Sequence, residues 1–414
     1  HAKVIIRQMQ YLYHELPNGI RVVHKPAASY VAHLGFTINA GSRDEEEHEQ
    51  GLAHFIEHLI FKGTHKRKAF QILGHMENVG GEINAYTSKE DTCIYGSFMN
   101  QHYARCMDLI SDIVFNSIFP EKEIKKEKDV VIDEINSYKD NPGEQILDDF
   151  DAIIFKGHPL GANILGTPKH LKKFDKESIY RFINNNYATN EMVISSVGSI
   201  EFNKIIALAN RYFGHIPARD KVNTRIPFES YKPESVTIKR RNHQIHCVIG
   251  NEAFHADHKN KTALVLLNNI LGGPGLNSRL NMAIREKHGF CYNIESQYQP
   301  YSDTGIFSIY FGTDHDHLDK TLGLVEKELD RLREKRLGRL QLKRSKQQLM
   351  GQVAISFESN LHEMLSMGKS LLVFNKIDTI QQINEKIEQV TASELIEVAN
   401  QVIDPTKLSR LIFK

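Results

Sequence analysis

Residues 80–99, Gly80-Gly81-Glu82-Ile83-Asn84-Ala85-Tyr86-Thr87-Ser88-Lys89-Glu90-Asp91-Thr92-Cys93-Ile94-Tyr95-Gly96-Ser97-Phe98-Met99, read as a glycine turn and two strands flanking the polar turn Ser88–Asp91. The same order returns later. Gly289 precedes strands over about Asn293–Tyr301 and Gly305–Gly312, which flank Ser302–Thr304. Working outward, each copy follows a strand and a helix: Val31–Asn39 and Gly51–Phe61 in the first half, His246–Asn251 and Asn260–Leu271 in the second. A further helix is expected over Ser278–Lys287. Two distant repeats without strict βαβ alternation predict an α+β protein of two homologous domains, each an antiparallel sheet packed with helices.

The remaining segments fill that frame. Tyr11–Leu16 and Ile20–His24 flank Pro17-Asn18-Gly19, and Asn-Gly supplies the positive backbone angles of a tight hairpin. Tyr103–Phe115, Glu121–Tyr138 and Leu318–Leu340 carry helical patterns, Glu121–Tyr138 being stopped by Asn141-Pro142-Gly143. The acidic stretch Asp44–Glu49 is expected to be a solvated loop ahead of a helix N-terminus. Pro217, Pro227 and Pro233 stand among charges with little periodicity. They place a linker at 216–235 between an N-terminal domain, 1–215, and a C-terminal domain, 236–414.

The 414 residues suffice for two or three cores. Lys and Arg number 52 against 51 Asp and Glu, so no broad nucleic-acid surface is expected. Cys93, Cys106, Cys247 and Cys291 form no CxxC pair and read as reduced core thiols. That pattern favours the cytoplasm. No apolar run approaches the ~20 residues of a membrane span. The start His1-Ala2-Lys3-Val4-Ile5-Ile6-Arg7 has no long apolar core, so no signal peptide is expected. It also lacks an initiator Met, which keeps the periplasm open through a leader removed earlier.

The chemistry is concentrated in His54-Phe55-Ile56-Glu57-His58. Residues four apart on a helix lie one above the other, so His54 and His58 can offer two imidazoles to one ion. A catalytic zinc needs a third protein ligand and an open position for water, whose pKa it lowers to about 7. Glu57 leans to the same face and is placed to act as general base; H-x-x-E-H is a known zinc-hydrolase pattern. The third ligand is expected on the amphipathic helix 121–138, where Glu123, Asp133 and Glu134 compete. Glu127, seven residues before Glu134, projects from the same face and would orient a histidine ring.

Taken with Gly51-Leu52-Ala53 before it and Leu59-Ile60-Phe61-Lys62-Gly63-Thr64 after it, this motif resembles the inverted zinc motif of the pitrilysin/insulinase family. Within that family the small mitochondrial-processing-peptidase-like bacterial type is the nearest in character. Gly80–Thr87 is similar to the family's next hallmark. The family's distal glutamate, about 76 residues past the second histidine, falls on Glu134, and its companion on Glu127. In the second half, Gly272-Gly273-Pro274-Gly275-Leu276-Asn277-Ser278-Arg279-Leu280 resembles the family's glycine-rich segment. It is not a phosphate loop, because no Gly-Lys-Ser/Thr follows. The family's substrate-binding Arg and Tyr match Arg285 and Tyr292.

The resemblance implies a zinc metalloendopeptidase with one Zn2+ per chain, acting on short or unfolded polypeptides in an enclosed chamber. Ile83–Tyr86 would accept the peptide as an added strand, with Asn84 and Ala85 in contact. Arg285 and Tyr292 would bind the substrate carbonyl and the developing oxyanion. Larger relatives carry four such domains, so this chain is expected to form a homodimer, or a heterodimer with an inactive relative. A catalytically inactive partner or peptide-binding subunit is the alternative reading.

Overall fold

The computed structural model describes residues 11–240 and 243–414. In chain order the elements begin with β1 (Leu12–Glu15), β2 (Arg21–Pro26), β3 (Val31–Ile38), α1 (Leu52–Leu59), α2 (Ala69–Glu77), β4 (Glu82–Thr87), β5 (Thr92–Met99), α3 (Tyr103–Phe115) and α4 (Glu121–Lys139). Next come α5 (Pro142–Ile154), α6 (Pro168–Leu171), α7 (Lys176–Asn186), β6 (Met192–Gly198), α8 (Phe202–Phe213), β7 (Ser235–Ile238), β8 (Ile245–Ala253) and α9 (Lys261–Gly272). The chain ends with β9 (Cys291–Pro300), β10 (Gly305–Thr313), α10 (Leu318–Glu334), α11 (Arg339–Ser356), α12 (Asn360–Phe374), α13 (Ile380–Gln389), α14 (Ala392–Val402) and β11 (Ser409–Phe413).

Two compact units result, each built on one sheet. The first sheet runs β1-β2-β6-β3-β5-β4 and the second β7-β11-β8-β10-β9. The internal repeat is therefore real at the level of topology: β2, β6, β3, β5 and β4 correspond in order to β7, β11, β8, β10 and β9. The α+β class holds, with one correction. The sheets are mixed, since β2 pairs with β6 and β7 with β11 in parallel. The parallel partner arrives late in each half, after the helices, which is why a reading of neighbouring strands sees only antiparallel pairs.

The first unit takes in residues up to Asp133, then Ile164–Arg225 and Ile355–Thr379. One face of its sheet is covered by α3 and α8, where Phe36 stacks on Phe213 at 5.2 Å. The other is covered by α12 from far down the chain, whose Met364, Met367, Leu371 and Leu372 pack on Val23, Val193 and Val197. That approach is close. A Cβ on Gly368 would sit 2.9 Å from the Oγ1 of Thr37 and the Oγ of Ser195.

The second unit comprises Glu134–Asn163, Ile226–Ala354 and Ile380–Lys414. Here α5, from the first half of the sequence, contributes Ile146, Phe150 and Ile154 to a core with Val248, Leu411 and Phe413. The opposite core gathers α9, α10 and α14 on Ile249, Phe307 and Ile309. The chain passes from the first unit to the second at Arg225–Ile226, within the stretch 216–235 read as a linker. Two further crossings fall inside the continuous helices α4 and α11.

Three local expectations change. Asp44, Glu45 and Glu49 are buried, at 7%, 7% and 3% exposure, so the stretch is solvated only at Glu46, Glu47 and His48. The helix from Leu318 ends at Glu334, where Lys335 turns extended, and restarts at Arg339. Pro142 opens α5 in its first turn, a position whose N–H needs no helical partner, as well as following the end of α4.

Candidate metal centre

The short helix α1 positions the motif, and neighbouring segments fix its start. Gly51 enters it at φ 94°, and a Cβ there would lie 2.7 Å from the Leu165 carbonyl oxygen. Both oxygens of the buried Glu45 carboxylate accept from its first turn, from Gly51 N at 3.0 Å and Ala53 N at 2.8 Å. Burial raises the Glu45 carboxyl well above its ordinary range, so its hold on the helix start lies in these two hydrogen bonds and not in a fixed charge.

From this fixed start the two imidazoles meet, their ring centroids 4.6 Å apart. Glu134 on α4 joins them. One donor atom from each of His54, His58 and Glu134 lies within 4.8 Å of the other two, a span that ligands about 2.0–2.2 Å from one ion reach with small side-chain adjustment. Among the described residues this is the one group of its kind, and the competing Glu123 and Asp133 are outside it. Two imidazoles and a carboxylate are also the donor chemistry of a catalytic zinc. Burial, with His58 nearby, pushes His54 down to about 3, which favours the neutral ring.

Glu127 supports the second histidine. Its Oε1 lies 3.0 Å from His58 Nδ1, a contact that fixes the orientation of the ring. Its Oε2 pairs with Lys62 Nζ at 2.8 Å. Burial raises the Glu127 carboxyl, but His58 and Lys62 outweigh it and hold the group below its ordinary range. Glu57 faces the edge strand, where Thr87 Oγ1 donates to its Oε2 at 2.7 Å. Burial first, and the charge of Glu57 second, raise the Tyr187 hydroxyl.

Among the described residues β4 is the edge strand, paired on one side only, to β5. It carries Asn84, exposed, opposite Tyr95, and Ala85 opposite Ile94. In the second unit Arg285 and Tyr292 lie together, the guanidinium carbon 5.7 Å from the ring centroid, with Tyr292 83% exposed. Arg285 falls within a π-helical segment, Asn281–Glu286, where an ordinary helix was expected; such segments re-aim side chains and recur at functional sites. Lys62 and Thr87 were not singled out from sequence. Lys62 stands one turn beyond His58, a spacing that could have flagged it.

An inverted histidine pair on one helix, closed by a glutamate from another within a repeated α+β fold, defines the class of zinc-site hydrolases. Residues 21–168 match the insulinase (peptidase family M16) profile, and residues 173–349 the peptidase M16 inactive domain. An uncharacterized zinc protease of Bacillus subtilis, YmxG, is 33% identical over 387 residues, 93% of this chain and 94% of that protein. One from Rickettsia felis is 32% identical over 400 residues, 96% of each. The chain belongs to the M16 insulinase family of peptidases. The fold agrees with a crystallised protease from Helicobacter pylori, at TM-score 0.91 and 21% identity over 98% of this chain and all of that one.

Proposed function

We propose that this chain is a zinc metalloendopeptidase that hydrolyses peptide bonds of short or unfolded polypeptides. The observation that carries the reading is the convergence of His54, His58 and Glu134, with Glu57 between the histidines on the same helix. In it, His54, His58 and Glu134 hold one zinc, and Glu127 orients His58. When bound, zinc supplies a Lewis acid that makes water nucleophilic near neutral pH. Glu57 takes the proton of the attacking water and delivers it to the leaving amine. Strand β4 binds the substrate backbone through its free edge, with Asn84 and Ala85 as contacts. Arg285 and Tyr292 bind the carbonyl and the developing oxyanion.

The segment 1–215 is the catalytic part of the sequence and 236–414 completes the substrate site, in a homodimer of chains that each carry both sets of groups. The four cysteines are free and buried, which supports a reducing compartment, the cytoplasm. No helix of the described residues is long and apolar enough to cross a membrane.

The test is cleavage of a quenched fluorescent peptide and of unfolded casein by zinc-loaded protein. Glu57→Gln should keep its zinc, measured by elemental analysis, and lose at least roughly a hundredfold in kcat. His54→Ala and Glu134→Ala should lose the metal. A Glu57→Gln variant that cleaves at the unsubstituted rate would overturn the mechanism. Zinc-loaded protein that binds peptide without cleaving it would favour the peptide-binding subunit.

A further inference from the structure

The hydrogen bond between Thr87 and Glu57 joins two parts of the proposed machinery that the motif reading treats separately. Glu57 is on α1, beside the metal ligands; Thr87 is the last residue of β4, the strand whose free edge is proposed to receive the peptide. The 2.7 Å contact engages Oε2 of Glu57. A lone hydroxyl would be a loose donor, but this one sits where the chain is heavily fixed. The turn after it is held by Ser42 N on the Ser88 carbonyl at 3.1 Å and Arg43 N on the Lys89 carbonyl at 2.7 Å. Arg225 donates to the Glu90 carbonyl at 2.6 Å, and Lys369 pairs with Asp91 at 2.9 Å. Segments distant in sequence thus converge to anchor the end of β4.

We propose that Thr87 is a positioning residue for the reaction: its hydroxyl, fixed at the anchored end of the edge strand, orients the Glu57 carboxylate toward the peptide that the same strand binds. Thr87 is neither one of the proposed metal ligands nor, in this reading, one of the reacting groups; it acts through Glu57. A base held to within a fraction of an ångström before substrate arrives needs no reorganisation at the moment of proton transfer. The requirement is for a hydroxyl at this position and not for the threonine methyl.

The inference rests on the proposed role of Glu57, and the experiment separates the two. Thr87→Val is close in shape and lacks the donor; Thr87→Ser keeps it. With zinc-loaded protein and a quenched peptide, Thr87→Val should lose roughly tenfold or more in kcat with KM within about twofold, and Thr87→Ser should recover most of the rate. Zinc affinity, read by chelator competition, should be unchanged in both. In a Glu57→Gln background, adding Thr87→Val should leave the residual rate unaltered. An unchanged kcat in Thr87→Val, equal losses in Val and Ser, or a change confined to KM overturns the inference. Should Val not be accommodated, Thr87→Ala is read by the same criteria. Full activity of Glu57→Gln alone would instead refute the assignment of the base.

Discussion

Asp44 sits with its side chain 1% exposed, between two cations from the segment after α8. Lys221 Nζ lies 2.6 Å from Oδ1, and Arg225 reaches both oxygens, at 3.0 and 2.8 Å. Burial pushes the carboxyl up, but Arg225 and Lys221 outweigh it and hold it below its ordinary range. A depressed folded value means that ionised Asp44 stabilises the fold at every pH above its unfolded pKa of about 3.9. That contribution is lost as pH falls through this value toward the folded one. Asp44→Asn should therefore cost about 3–5 kcal/mol at pH 7 by stranding the buried cations. The penalty should shrink on acidification below pH 4, as urea unfolding at both pH values would show. The histidine pair was legible because helical spacing is local. Asp44 and Arg225 are 181 residues apart, and Thr87 and Glu57 30 apart, in different elements, so no periodicity links them. Glu134 was one of three candidate carboxylates until the family resemblance selected it.

Helix α1 has eight residues, too few to persist alone in water. It is held by its packing and by its start, where Glu45 caps it and Gly51 passes close to Leu165. Gly51→Ala forces a side chain into a left-handed conformation against a carbonyl oxygen. It should lower stability by more than about 1 kcal/mol and weaken zinc retention, seen as a reduced Tm and a lower metal content after dialysis. A variant with unchanged Tm would show that the crossing relaxes freely. The same region shows why part of the acidic stretch was misread. Composition cannot distinguish a solvated carboxylate from one buried against partners, and the partners Arg181, Lys221 and Arg225 all arrive more than a hundred residues later. Strands were more legible than helix partners, because alternation and turn residues are written locally. The parallel pairings were not, since each joins segments separated by a whole half of the chain.

At the scale of the molecule, the first sheet depends on α12 for one of its faces, as the second does on α5. A fragment of residues 1–215 would expose Val23, Val193 and Val197 to water. It should bind a hydrophobic dye and aggregate, whereas the full chain should not. A soluble fragment that unfolds cooperatively would contradict this. The proline-bearing linker marked one crossing because the chain there leaves regular structure. The crossings within α4 and α11 left no trace, since an uninterrupted helix has no punctuation where it changes unit. The exchange also has a temporal consequence. On a ribosome adding roughly 5–20 residues each second, the first sheet is complete once β6 emerges, yet α12 follows on the order of ten seconds or more later. Throughout that interval the nascent polypeptide carries a naked apolar face, so chaperone occupancy should be highest between the appearance of Gly198 and that of Asn360. Assembly of the first unit is thereby deferred until translation is nearly finished.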